Sequence, residues 1–326
     1  MQQSDTIAIT GAAGFVGSCL IAHLNELGYT QLILVDDFSK KEKAANLQGK
    51  QYLHKVHRDQ FIEWCNHHPN TVQFMFHLGA VTDTMLEDYS VFKTMNLNYS
   101  KDIWEYCTEQ KIPLVYASSA ATYGGGSEGY DDDEKRISSL KPLNAYAISK
   151  NEFDKWALEQ KHKPPFWAGL KFFNVYGPNE YHKGKMASVI FHVYNQIKTN
   201  GKAVLFRSHK EGIKDGEQQR DFIYVKDIVS ICAWLMTHQK KSGIYNAGTG
   251  KARTFIDLVH AIFAAIDMKP NITFVDTPES IREAYQYFTE ANMQKLKSIG
   301  YTAAFTPLED GVKEYVQQYL EKVAYY

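Results

Sequence analysis

Tyr146 and Lys150, in the run Tyr146-Ala147-Ile148-Ser149-Lys150, would stand on one face of a helix a single turn apart. A free phenol ionises at about pH 10, and a neighbouring ammonium favours the phenolate, so this spacing could bring a tyrosine towards the range of a general base. The same five residues also suit a surface aromatic and a solvated lysine, so their meaning depends on what else the chain supplies. A hydroxyl that could orient a reacting oxygen stands at Ser119, in Tyr116-Ala117-Ser118-Ser119-Ala120-Ala121-Thr122-Tyr123-Gly124. A serine at a strand end often bonds only its local backbone.

Gly11-Ala12-Ala13-Gly14-Phe15-Val16-Gly17 follows an apolar run and opens a helical pattern, the context in which a glycine turn receives a dinucleotide pyrophosphate. Gly11, Gly14 and Gly17 let the backbone turn tightly and approach the phosphates, whose charge is favoured by free N–H groups at the helix start. Asp36 closes the second apolar run, where an acid usually bonds the 2′-hydroxyl of NAD and repels the 2′-phosphate of NADP. Lys40, Lys41 and Lys43 follow at once and Arg58 lies further on. Cations for a phosphate are therefore available too, and the physics alone leaves NAD and NADP both open. His77-Leu78-Gly79-Ala80 ends a later run with small residues that would let the backbone approach the same cofactor.

A parallel sheet with crossover helices would collect these residues at one edge. Ile7–Thr10, Leu32–Val35, Val72–Leu78, Leu114–Ala117 and Trp167–Phe173 read as its strands, with helical spacing over Val16–Leu27, Phe92–Cys107 and Asn144–Glu159 between them. The pattern is α/β and doubly wound. After Tyr176-Gly177-Pro178 a Lys/Gly-rich stretch, a helix over Ala187–Lys198 and a polar loop over Ser208–Gln219 suggest a smaller second lobe, before short strands at Phe222–Val225 and Gly243–Asn246. Thr254 and Asp257 form a capping box for a helix whose stripe is Leu258, Val259, Ile262, Phe263 and Ile266. Leu308, Val312, Tyr315, Val316 and Tyr319 make a similar core stripe, and the acidic run Asp131–Glu134 reads as a solvated loop.

With 326 residues, 44% hydrophobic and 22% charged, the chain has the make-up of a folded globular protein. A formal net charge of -1 offers no general attraction to nucleic acid or anionic membrane, so neither is expected as a partner and an anionic ligand would need a local site. Cys19, Cys65, Cys107 and Cys232 lie far apart without metal-site spacing, which argues against disulfides and zinc and for a reduced cytoplasm. No signal-peptide pattern and no apolar run of spanning length is present, which again fits a cytoplasmic location.

In order and spacing, over almost the whole chain, the glycine turn, Ser119, Tyr146 and Lys150 resemble the extended short-chain dehydrogenase/reductase superfamily. The resemblance implies that Tyr146 is the acid/base, that Lys150 holds the nicotinamide ribose and lowers the tyrosine pKa, and that Ser119 positions the reacting oxygen. Sugar 4,6-dehydratases of the superfamily carry Asp-Glu just after the serine. Ala120-Ala121 stands there in this chain, which disfavours elimination, since removal of water needs an additional acid and base. The stretch Phe172-Phe173-Asn174-Val175-Tyr176-Gly177-Pro178-Asn179-Glu180-Tyr181-His182-Lys183-Gly184-Lys185-Met186-Ala187-Ser188 is similar to the ADP-L-glycero-D-manno-heptose 6-epimerase family. Ser118–Gly125, Arg220-Asp221-Phe222, Asn246-Ala247-Gly248-Thr249-Gly250 and Tyr285-Gln286-Tyr287-Phe288-Thr289 extend the likeness.

That likeness implies transient NADP-dependent oxidation at C6 of ADP-heptose and return of the hydride to the opposite face, with Lys183 as second acid/base. Once the intermediate has turned, its oxygen points away from the first base, so a donor is needed elsewhere. By position, the implied cofactor contacts are Phe15, Val16, Asp36, Asp37, Lys43, Arg58, His77, Leu78, Gly79, Ala80, Val81, Asn96, Lys150, Val175 and Lys183. The implied substrate contacts are Asn174, Lys185, His192, Phe206, Arg207, Ser208, His209, Arg220 and Tyr285. Residues 1–173 with about 220–250 would form the NADP-binding Rossmann domain, and 174–219 with 251–326 the nucleotide-sugar domain. A ring-like homo-oligomer and a place in lipopolysaccharide core assembly are also implied. A 4-epimerase or reductase acting on another nucleotide sugar, and a non-catalytic dinucleotide-binding scaffold, stay open beside this reading.

Overall fold

Strands that are apolar on both faces can be stable only inside a covered sheet, and the apolar runs of this chain meet that condition together. The computed structural model describes residues 1–282 and 285–326, and their side chains except those of Ser280 and Ile281. Ile7–Thr10 (β1), Leu32–Asp36 (β2), His54–His57 (β3), Phe74–His77 (β4), Leu114–Ser119 (β5) and Trp167–Phe172 (β6) share one sheet. Four short strands follow, Asn174–Tyr176 (β7), Ala203–Phe206 (β8), Gln219–Arg220 (β9) and Phe222–Tyr224 (β10). Gly243–Ala247 (β11) then returns to the sheet as its seventh member. The spatial order is β11-β6-β5-β4-β1-β2-β3, with every neighbouring pair parallel. Ile7 to Ile9, Leu32 to Val35 and Phe74 to Phe76 are fully buried.

Chain order reverses between β1 and β4, so a crevice opens at their carboxyl ends, the place where doubly wound sheets receive ligands. Phe15–Glu26 (α1) and Phe61–His67 (α2) make the first crossovers. The helix expected over Phe92–Cys107 begins earlier: Tyr89–Phe92 (α3) passes through a wider π-type turn, Lys93–Asn98, into Tyr99–Glu109 (α4). Ala145–Glu159 (α5) carries Tyr146 and Lys150 and starts on Asn144, whose side chain accepts the Ala147 N–H at 2.9 Å.

Val189–Asn200 (α6), Val225–His238 (α7) and Phe255–Ala265 (α8) follow, and α1 packs on α7. The strand expected over Phe222–Val225 stops at Tyr224, because Val225 already begins α7. It pairs with β7 and not with the large sheet. Arg253–Thr254 (β12) pairs antiparallel with β9, and Ile272–Val275 (β13) parallel with β8. The capping box is present: Asp257 N–H donates to Thr254 Oγ1 at 3.0 Å and Thr254 N–H to Asp257 Oδ2 at 3.2 Å. The acidic run is not the solvated loop expected. Asp132 is buried and accepts the Asn246 N–H at 2.8 Å, and Glu134 accepts the Ile244 N–H and Lys295, so the two acids tie this loop to the edge strand β11.

Candidate active site

The glycine turn is built by close backbone contact. Gly11 has φ +70, and a Cβ there would meet Gly79 Cα at 2.7 Å, so the turns after β1 and β4 touch at the chain reversal. A Cβ on Gly17 would lie 2.1 Å from Gly11 O, which leaves glycine as the residue that lets α1 start so close to the strand end. No side chain caps α1 and no acid lies in its first turn, so the N–H groups at Phe15 and Val16 are left to an anion. Asp36 accepts the Ala13 N–H at 2.9 Å, the Asp37 N–H at 2.7 Å and Lys43 Nζ at 3.1 Å. A carboxylate has about four acceptor sites, so one remains for a ribose hydroxyl. Asp37 faces Arg58 at 4.0 Å and His57 at 3.6 Å, and its hydrogen bonds from Ser39 hold its carboxyl down to about 2.

Two residues expected to touch the cofactor spend their side chains elsewhere. His77 is buried, with Nδ1 2.7 Å from Thr10 Oγ1 and Nε2 2.8 Å from Ser100 Oγ. Ser100 donates to Asn96 O, so it must accept from Nε2–H. Nδ1 then accepts from Thr10, whose oxygen takes the Gly79 N–H at 3.1 Å. The ring in this chain is neutral, in keeping with burial and the charge of Lys150, which bring its pKa to about 3. Asn96 holds Val81 by both backbone groups, at 2.8 and 2.9 Å, and reaches Ser149 at 3.1 Å. His77 and Asn96 therefore shape the Leu78–Val81 loop, which lines the crevice by its backbone.

The Tyr146 group differs from the sequence expectation in one respect: the phenol pKa, expected to be lowered by Lys150, lies above its ordinary value. Lys150 Nζ donates to Ala117 O at 2.9 Å. Burial pushes the Tyr146 pKa up, the Ser119 hydroxyl acts against this, and the Asp154 charge pushes it further up. Ser119 Oγ itself accepts the Ala121 N–H at 3.1 Å, the local backbone bond open to a serine at a strand end. The Lys150 ammonium is itself brought down to about 8 by burial, with Asp154 opposing. A one-turn spacing puts both residues on the same face, but the longer lysine chain reaches the strand beneath.

Lys183 reaches the other wall of the crevice. Its Nζ lies 5.4 Å over the Phe15 ring at the start of α1, and burial lowers its pKa while Glu180 opposes. The segment is fixed on both sides: buried Glu180 accepts Ser188 N–H and Oγ at 2.6 Å and the Tyr315 hydroxyl at 2.8 Å. Asn46 Nδ2 stands 2.9 Å from Ala13 O, 3.2 Å from Asn179 O and 3.2 Å from His182 Nδ1. The glycine turn and the Lys183 segment thus share one buried amide, which sequence reasoning missed. Among the described residues, no hydrogen bond joins Lys183 to Tyr146.

A cavity of about 410 Å³ lies beyond this segment, lined by Lys185, His192, Phe206, Arg220 and Tyr285 of the expected substrate set. Val189, Val193, Gln196, Gln218 and Phe255 complete much of the wall, and Val189, His192, Val193 and Gln196 were findable as one face of α6. Arg220 is buried between the rings of Phe255 and Tyr285, at 5.7 and 5.5 Å, and donates to Gln219 O at 2.8 Å and to Gln286 O. Gln286 in turn donates to Gly124 O, which joins the cavity wall to the Ser119 turn. Asn174, Arg207, Ser208 and His209 are not among the cavity's lining residues. Arg207 pairs with Asp276 at 3.7 Å, Ser208 N–H with Asp215, and His209 Nε2 accepts the Thr277 N–H, so these hold the local loop. Among the described residues, no cluster of His, Cys, Asp and Glu could hold a metal ion, and no helix is long and apolar enough to cross a membrane.

Residues 7–248 match the NAD dependent epimerase/dehydratase family. The chain belongs to that family. Within it, the chain is 47% identical to the ADP-L-glycero-D-manno-heptose-6-epimerase of Fusobacterium nucleatum, over 97% of this chain and 98% of that one. It is 48% identical to the protein of the same name from Nitratidesulfovibrio vulgaris, over 96% and 97%. The crystal structure of Helicobacter pylori ADP-L-glycero-D-manno-heptose-6-epimerase superposes with a TM-score of 0.80 at 26% identity, covering 97% of this chain and 96% of that one. The family's dinucleotide fits the uncapped helix start and the close glycine turns.

Proposed function

We propose that the protein epimerises ADP-D-glycero-β-D-manno-heptose at C6 to the L-glycero epimer. The observation that carries this reading is the near full-length identity to a heptose 6-epimerase, in a chain that retains the Ser119, Tyr146 and Lys150 group. When bound, the dinucleotide supplies a hydride acceptor and then a hydride donor, so no net redox occurs. Tyr146 takes the proton from the C6 hydroxyl, and Ser119 orients that oxygen. Lys150 adds positive charge beneath the phenol and offers its ammonium to the nicotinamide ribose. Lys183 returns a proton from the opposite side after the ketone has turned. Lys185, His192, Arg220 and Tyr285 hold the ADP moiety, with Arg220 as a fork for a diphosphate oxygen.

The same reading takes a nicotinamide dinucleotide, with NADP preferred over NAD. Lys43 and Arg58 offset Asp36 and Asp37, and the exposed Lys40 and Lys41 are additional cations for a 2′-phosphate. Residues 1–173 with about 220–250 would hold the cofactor, and the rest the sugar nucleotide, in a cytoplasmic homo-oligomer serving lipopolysaccharide core assembly. Incubation with the D-glycero substrate and chromatography of the products tests the function. The L-glycero product should form without stoichiometric NADPH, whereas NADPH release with no epimer would overturn the reading. Mass spectrometry of the nucleotide released on denaturation decides between NADP and NAD.

A further inference from the structure

Beneath the Tyr146 group lies an ion pair with no exposure. Lys171 Nζ on β6 stands 2.8 Å from Asp154 Oδ2 on α5, and both side chains are fully buried. Asp154 also accepts from Ser118 Oγ at 2.7 Å and from the Tyr116 hydroxyl at 3.0 Å. Lys171 also donates to Thr122 Oγ1 at 2.6 Å, and Thr122 donates to Ser119 O at 2.7 Å. With Lys150 on Ala117 O, every residue from Tyr116 to Ser119 is bonded to this small group. A buried ion pair is weak evidence for stability, because neutral or apolar replacements are often tolerated. Its contacts here converge on the strand end that carries Ser119.

We infer that Asp154, partnered by Lys171, is a positioning residue of the reaction, which fixes Ser119 against the Tyr146 helix and sets the charge beneath Tyr146 and Lys150. Asp154 follows Lys150 by one helical turn and Tyr146 by two, so the three share a face. Its negative charge raises the pKa of both. The other groups around them are accounted for. Tyr116 and Ser118 from β5 are bonded to Asp154, and Tyr123 from the next turn lies under Lys171 at 5.1 Å. His77 from β4 is neutral, Glu134 is bonded to Lys295, and Tyr89 from α3 is bonded to Glu152.

This inference rests on Tyr146 being the acid/base. In Asp154→Asn/Lys171→Met, which leaves no unpaired buried charge, the alkaline limb of the kcat against pH profile, set by Lys150, should move towards acid, since the Asp154 charge that raised the Lys150 pKa is gone. Dinucleotide Kd, read by fluorescence titration, should stay within about twofold, because the pair touches the strand end and not the glycine turn. An alkaline limb that stays in place, whatever the rate, overturns the charge role. Thr122→Val keeps all charges and is expected to fold even if the double variant does not. It should lower kcat about tenfold with KM unchanged, since it frees Ser119. An unchanged kcat there overturns the positioning role. Tyr146→Phe, assayed alongside, separates the two claims. If it is inactive while the double variant's alkaline limb does not move, Asp154 alone is refuted. If it remains active, the tyrosine reading falls and this inference with it.

Discussion

Tyr146 has to lose its proton to act as a base, yet within the protein burial and Asp154 both hold that proton on, and Ser119 is the group that favours its release. Ser119→Ala should therefore raise the Tyr146 pKa. The rate at neutral pH should fall by about tenfold to a hundredfold. A loss with the Tyr146 pKa unmoved, read by NMR of ring-labelled tyrosine, would mean that Ser119 serves geometry alone. The alkaline limb of the kcat profile has a different origin: burial brings Lys150 down to about 8, so raising the pH through that value removes its charge and the rate should decline. Lys183→Met tests the second proton. It should abolish epimerisation while the dinucleotide remains bound, and full activity would leave Tyr146 as the one base. At this scale the sequence identified the residue types but not their bonds. Tyr146 and Lys150 were visible as a spacing, whereas the descent of Lys150 to Ala117 O depends on the strand below, which spacing does not encode.

The elements that carry these side chains were legible where their chemistry is local. Gly11, Gly14 and Gly17 between an apolar run and a helical stripe define the β1 to α1 turn, and Thr254 with Asp257 defines the start of α8. Thr254→Ala should cost about 1 kcal/mol of stability, visible as a lower Tm with kcat unchanged, because the box lies on α8 and not at Tyr146. Gly17→Ala should act in the opposite way on function: its Cβ would collide with Gly11 O, so the turn must shift and dinucleotide binding should be lost in a titration. β3 escaped sequence reading because His54-Lys55-Val56-His57 has one buried residue, Val56, and a strand at a sheet edge needs no apolar run. β8 and β13 escaped for a related reason, since each pairs with one partner and stays partly exposed. The acidic run misled because two of its carboxylates find partners on β11 and on Lys295, which lie more than a hundred residues away.

Across the whole molecule, a net charge of -1 means that an anionic substrate is held by local cations, and Arg220 is the most buried of those lining the cavity. Its guanidinium touches two rings on the cavity side and also donates to Gln286 O, while Gln286 donates to Gly124 O beside the Ser119 turn. One side chain thus stands between the binding cavity and the reacting strand end, an arrangement that motifs scattered over 124, 220 and 286 could not disclose. The two connections make different forecasts for Arg220→Met. If Arg220 chiefly grips the diphosphate, KM for the nucleotide sugar should rise about tenfold to a hundredfold, equivalent to about 1.4 to 3 kcal/mol for a lost charged hydrogen bond, with dinucleotide affinity unchanged. If it chiefly holds Gln286, kcat should fall while KM stays, because the Ser119 turn loses its support. The place of Arg220 in the cavity wall with the cationic Lys185 favours the first, and Gln286→Ala provides the control: it removes the link to Gly124 and leaves Arg220 in place. A rise in KM for Arg220→Met that is absent in Gln286→Ala would assign the arginine to the substrate, and identical losses of kcat in both would assign it to the strand end.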